Sequence, residues 1–390
     1  MKQIMVYDDD TGVADKYVEK LRNATKKFKT DPMSQEAFLN QLDFLKERRE
    51  ATREARKWTN DAIDMDKISI FIIDFDLMKT HPFLTGEEAA YLLRCYSRCG
   101  LIIGLNLESG RRVLPSYFDL TLRGHPDSFC DLNIDAAQLD NPGLWTNIRN
   151  GFRPWHWPQI PDYLDLLEKK ISCVLDNPAK PIVQLLQFDG ILQLFPSSAL
   201  QFLGGKPAEV TFKQFVVNSG NGLRGKDKTT DEMIARIAAA RVSKWLERLI
   251  LPGQDILVDA PHLVSRFPSL LKGDQRDLAI WNKITELSSN VGSLPLMLEK
   301  IESFTFKENY WLSRPAWFWN NLYTNDRILE VANPFKKIET EFVFCEDSST
   351  FERKENCREF YATIDSPYNQ RYIHARPFQD VDYAPAMALI

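Results

Sequence analysis

Residues 68 to 73 read Ile-Ser-Ile-Phe-Ile-Ile, a nearly unbroken apolar and β-branched run that stops at Asp74 and Asp76. A strand with one wet face would alternate apolar and polar residues, so this run predicts a parallel strand covered on both sides. Two further runs repeat the pattern. Ile4 to Tyr7 ends abruptly in Asp8, Asp9 and Asp10, and Leu101 to Leu105 follows a helical stretch that Thr85, Gly86 and Glu87 open and Gly100 closes.

Helical periodicity fills the gaps between these strands. Val13, Tyr17, Val18 and Leu21 share one face of a helix over about 13 to 24, and Phe38, Leu39, Leu42, Phe44 and Leu45 belong to a long charged helix. That helix ends in KERREATREARKW, which reads as a solvated face. A brief second strand is expected near Lys27 to Lys29, a fifth at Asp119 to Arg123, and a last helix over Leu139 to Ile148. The alternation predicts an α/β fold with a doubly wound, parallel five-stranded sheet over residues 1 to 150. In such sheets ligands sit at the carboxyl ends of the strands, so the acids after the first and third strands are expected to meet.

Several carboxylates in one crevice repel one another unless a cation joins them. Mg²⁺ suits them, because it commonly takes one or two carboxylates and keeps water or phosphate oxygens in its remaining positions. A carboxylate can also act as a nucleophile and carry a phosphoryl group.

The motifs IMVYDDD, IFIIDFDLM, LIIGLN and FDLTLRG, in that order and spacing, resemble the receiver domains of bacterial two-component signalling. The resemblance covers roughly residues 1 to 150. It implies that Asp74 is the phospho-acceptor, Asp9 a direct Mg²⁺ ligand and Asp8 its partner through water, with the Asp76 backbone carbonyl completing the metal shell. Asn106 stands where receivers carry Thr or Ser, Arg123 where they carry Lys, Gly124 where Pro follows, and Leu120 at the common switch aromatic. Asn106 and Arg123 retain N–H groups able to contact phosphoryl oxygens. The long second helix, the segment LMKTHPFLTGEE and the large appended region are similar to the stand-alone receiver component of Detocs-type anti-phage systems. That likeness implies a sensor histidine kinase and a toxic effector protein as partners, with the receiver drawing phosphate away as a sink in antiviral defence.

The remaining 240 or so residues, 151 to 390, are expected to form a second, mainly helical α+β domain for docking or assembly. GFRPWHWPQIP at 151 to 161 reads as an ordered connector, Asp162 to Leu175 and Thr230 to Leu251 as helices, Glu209 to Val217 as a strand, and the aromatic stretch Tyr310 to Leu322 as helical. Gly220 to Lys226 approaches a phosphate-binding loop, but Asp227 replaces the hydroxyl residue that would meet Mg²⁺, so a plain loop is expected. Six cysteines lie scattered with no CxxC pair and read as buried thiols. With 49 basic and 54 acidic side chains the formal charge is −5, which argues against a nucleic-acid partner. Neither a membrane span nor a signal peptide is legible, and a cytoplasmic protein is expected. Two other readings compete with the phosphorelay one: a pseudo-receiver that binds partners without phosphorylation, and a receiver that regulates an enzyme in residues 151 to 390.

Overall fold

The computed structural model describes residues 2–58, 62–75, 77, 84–106, 129–136, 139–140, 142–145, 159–218, 229–251, 256–285, 292, 294–312, 314–329, 341–345, 350–361 and 370–374. Its N-terminal part is α/β. Strands β1 (Gln3–Tyr7), β2 (Lys29–Pro32), β3 (Ile70–Asp74) and β4 (Leu101–Asn106) pair in parallel in the order β2-β1-β3-β4, and β5 (Leu132–Asp135) pairs in parallel beyond β4. Ile70 to Ile73 are fully buried, as expected of a central strand covered on both faces. The segment 119–123, expected as the fifth strand, lies outside the described residues, and Leu132–Asp135 holds the place beside β4. Only Pro142–Trp145 of the expected last helix is described as helical.

Helix α1 (Thr11–Ala24) buries Ala14, Tyr17, Val18 and Leu21, and the Asp10 carboxylate caps it by accepting from the Gly12 N–H at 3.0 Å. Helix α2 (Gln35–Arg53) starts at its Ser34 cap. Its basic end corrects the expectation of a solvated face: Arg48 is 2% exposed and donates to both Asp66 oxygens at 3.1 and 2.8 Å and to the Tyr96 carbonyl at 2.9 Å. Trp58 covers the guanidinium at 4.3 Å. Helix α3 (Gly86–Tyr96) is capped by Thr85 and returns the chain to β4 through Gly100, where a Cβ would lie 2.1 Å from the Ser69 carbonyl oxygen. No side chain larger than hydrogen fits there.

Helices α4 (Ile160–Asp176), α5 (Phe212–Asn218) and α6 (Asp231–Trp245) follow. The α5 segment had the β-branched look of a strand, but Thr211 and Gln214 form a capping box. The Gln214 Oε1 accepts from the Thr211 N–H at 2.9 Å and the Thr211 hydroxyl accepts from the Gln214 N–H at 3.3 Å. Phe212, Phe215 and Val216 then fall on one buried helical face. Thr230 caps α6, its hydroxyl accepting from the Met233 N–H at 3.3 Å. Helix α6 packs against α3 and α4, so apolar side chains from β1 through Ala316 make one continuous cluster that runs past residue 150.

Polar contacts fasten α6 to the amino ends of β4 and β5. Lys244 donates to the Cys130 carbonyl and Glu232 pairs with Arg98 at 3.0 Å, while Arg94 of α3 pairs with Asp131, which also accepts from the Ile102 N–H at 2.7 Å. A second apolar cluster gathers around β6 (Leu257–Asp259), helix α7 (Ala260–Arg266), β7 (Ala316–Phe318), β8 (Phe342–Cys345) and β9 (Thr350–Arg353). The aromatic stretch 310 to 322, expected as helical, contributes β7, which pairs antiparallel with β6, flanked by a single 3₁₀ turn and the short helix Trp319–Tyr323. Strands β10 (Cys357–Tyr361) and β11 (Gln370–His374) complete a sheet of order β10-β11-β8-β9. Among the described residues no helix is long and apolar enough to cross a membrane.

Candidate metal and phosphoryl site

The acidic residues sit where the sheet's topology sends them. Strands β1 and β3 are parallel neighbours in the register Val6↔Ile72 and Tyr7↔Ile73, so the residues that follow Tyr7 and Ile73 emerge side by side at the same edge. Asp8, Asp9 and Asp74 each present a carboxylate oxygen there, all within 4.8 Å of one another. Asp8 is 6% exposed, and Asp9 and Asp74 are half-buried.

The loop that carries the pair is held from both sides. The Asp8 carboxylate accepts from the Asp10 N–H at 2.8 Å, and Asp10 in turn caps α1. Asp10 is thus a positioning residue that reads in sequence as one more member of an acidic run, although an acid directly before an amphipathic helix is an N-cap signal. Tyr7, stacked on Phe38 with ring centroids 3.6 Å apart, forms the floor. Burial, with the charges of Asp9 and Asp8 adding to it, pushes its phenol up to about 12 and keeps it neutral.

Gly86, the first residue of α3, approaches the other side. Its N–H donates to the Phe75 carbonyl at 3.0 Å, and a Cβ there would come within 2.4 Å of the Asp74 carbonyl oxygen. The helix therefore begins against the backbone at the end of β3, a closeness that only glycine permits. The Phe75 N–H donates to the Leu105 carbonyl at 3.1 Å, which fixes the strand end on its β4 side.

Like charges this close are costly. Two unit charges at 4.8 Å repel by about 1 kcal/mol in water and about 3 kcal/mol at the effective dielectric of a protein surface. The donor set consists of hard carboxylate oxygens, the ligands that Mg²⁺ prefers, and the three lie close enough together to share one ion. Asn106 ends β4 one residue beyond Leu105, the partner of Asp74, and so its backbone reaches the same edge of the sheet. The Asn106 side chain, Asp76 and Arg123 lie outside what is described. So do Gly220 to Lys226 of the glycine-rich loop.

The cysteines divide in two. Cys95 and Cys99 are buried, and burial pushes both thiols up, Cys99 to about 12, which suits the core role expected of them and makes thiolate chemistry unfavourable. Cys345 and Cys357 behave differently, since their sulfurs lie 3.3 Å apart. In comparisons with known proteins, no family model, curated protein or solved structure matches this chain.

Proposed function

We propose that this protein is a Mg²⁺-dependent aspartyl-phosphate acceptor of the receiver type. The observation that carries the reading is the convergence of Asp8, Asp9 and Asp74 at the carboxyl edge of two adjacent parallel strands. Asp8 and Asp9 would hold the ion together with Asp74, and Mg²⁺ would supply neutralisation of charge on the phosphoryl oxygens. A carboxylate oxygen of Asp74 is the nucleophile, forming the acyl phosphate as the bond from phosphorus to the donor's leaving group breaks: the P–N bond of a phosphohistidine, which releases the imidazole, or the P–O bond of a small acyl phosphate, which releases the carboxylate. Asn106, Arg123 and the Asp76 carbonyl are the further contacts that the receiver resemblance supplies.

Within that chemistry we favour a phosphate sink over an output switch, in a phosphorelay of anti-phage defence with a histidine kinase as donor and a toxic effector as the competing acceptor. Asn106 and Leu120 replace the hydroxyl and aromatic groups of the usual switch, and a sink needs only to accept phosphate and lose it. Cytoplasmic location belongs to the same proposal. Co-expression of Asp74→Ala with the kinase and effector tests the role. A sink predicts that the variant releases effector toxicity in uninfected cells. Silencing of the effector by the same variant would mean that the protein transmits the signal, and an unchanged effector would favour a phosphorylation-independent pseudo-receiver.

A further inference from the structure

Strand β8 lies between β9 and β11, and β10 lies on the far side of β11. The edge strands β9 and β10 are joined by only the 3₁₀ turn Lys354–Asn356. In a flat sheet the two edges would be about 14 Å apart, whereas the four steps of a 3₁₀ link from Arg353 to Cys357 advance about 8 Å. The sheet must therefore curl so that its edges approach.

That curl brings two cysteines from separate strands together. Cys345 pairs with Tyr372 and Cys357 with His374, and these partners are two residues apart on β11, so both cysteines belong to one face of the sheet. Their sulfurs are 3.3 Å apart, inside ordinary sulfur contact, and both are thiols. The surroundings are asymmetric. Cys345 is fully buried, whereas Cys357 is half-exposed at the start of β10 with its thiol donating to the Arg353 carbonyl at 3.3 Å.

We propose that Cys345 and Cys357 form a redox-active dithiol whose oxidant is a hydroperoxide, with Cys357 as the attacking thiol and Cys345 as the resolving one. The Cys357 sulfur, having lost its proton to solvent, attacks the terminal peroxide oxygen. The O–O bond breaks, the leaving oxygen takes a proton and departs as water or an alcohol, and Cys357 becomes a sulfenic acid. The Cys345 sulfur then attacks that sulfenic sulfur, the S–O bond breaks and a second water leaves, with the Cys345 proton accounted for in it. Two thiols have given two electrons to one peroxide. The product disulfide ties β8 to β10 across β11, and a dithiol reductant reverses it. Closing the bond from 3.3 Å to about 2.05 Å asks for a modest side-chain and strand adjustment.

The experiment uses the reduced full-length chain, one equivalent of hydrogen peroxide, thiol blocking and non-reducing tryptic mapping. Cleavage after Arg353, Lys354 and Arg358 places the two cysteines on different peptides, so the disulfide appears as a cross-link two hydrogens lighter than the pair and absent after dithiothreitol. In Cys345→Ser the sulfenic acid on Cys357 should persist and be captured by dimedone, and in Cys357→Ser the thiol of Cys345 should stay intact. Oxidation of wild type to a Cys357 sulfinic acid with Cys345 unchanged, or no reaction at either thiol, overturns the proposal. Should a serine variant fail to fold by circular dichroism, the wild-type peptide map alone decides, since it contains or lacks the cross-link.

Discussion

The two ends of the parallel sheet handle charge in opposite ways. At the amino end, acids meet arginines: Asp66 takes two hydrogen bonds from Arg48, and Asp131 pairs with Arg94, all four being nearly inaccessible. At the carboxyl end three carboxylates are gathered within 4.8 Å. The first arrangement fixes how α2 and α3 seat on the strands. The second gathers like charges whose mutual repulsion a bound cation would offset, the arrangement expected of a binding site rather than of a structural joint.

Breaking the amino-end joint should have the largest effect. Arg48→Met leaves the Asp66 carboxylate buried without its guanidinium and should cost about 3–5 kcal/mol in urea unfolding. The pH dependence follows with a definite sign. Burial raises the Asp66 carboxyl, but the Arg48 hydrogen bonds and the Arg98 and Ile63 N–H groups outweigh it and hold it below the usual carboxylate range. A group depressed in the folded state stabilises above its unfolded pKa of about 3.9 and loses that contribution as pH falls through the folded value. Wild type should therefore lose stability on acidification more steeply than Arg48→Met, and parallel acid limbs would refute the assignment.

At the carboxyl end, Gly86→Ala forces a methyl toward the Asp74 carbonyl, which a Cβ would approach to 2.4 Å. It should cost about 1–3 kcal/mol and slow phosphorylation by moving the acceptor. Replacing Asp9 by Asn should act in the reverse direction on stability. Without Mg²⁺ the variant should gain about 0.5–2 kcal/mol by relieving repulsion, while calorimetric titration should show Mg²⁺ affinity lower by roughly tenfold or more. Loss of stability with unchanged affinity would place the ion elsewhere. The smallest effect is expected of Thr85→Ala, which removes the α3 cap and should cost about 1 kcal/mol in thermal or urea melts.

The carboxyl-end acids were legible in the sequence because buried parallel strands leave nearly continuous apolar runs, and the residue after each run must surface at one edge. Asp8, Asp9 and Asp74 follow from that alone. Leu132–Asp135 left no such trace: a four-residue strand with Leu132 and Ile134 alternating against polar positions looks like many loops. Arg48 sat in a basic run whose neighbours are solvated, and only the fold shows that Asp66 and Tyr96 enclose it. The Thr211 box was visible as T-x-x-Q, but the β-branched residues around it suggested a strand. Gly86, Gly100 and the meeting of Cys345 with Cys357 depend on tertiary approach between segments far apart or in different strands, which no local pattern encodes.

If the proposed function holds, the Asp8–Asp9–Asp74 crevice turns Asp74 into a phosphoryl acceptor when Mg²⁺ is present. Intact-mass spectrometry after incubation with a small acyl-phosphate donor tests it directly. Wild type should gain one phosphoryl group with Mg²⁺ and none after chelation, and Asp74→Ala should gain none. Labelling that persists in Asp74→Ala, or wild type that stays unmodified under conditions in which Mg²⁺ is shown to bind, would contradict it.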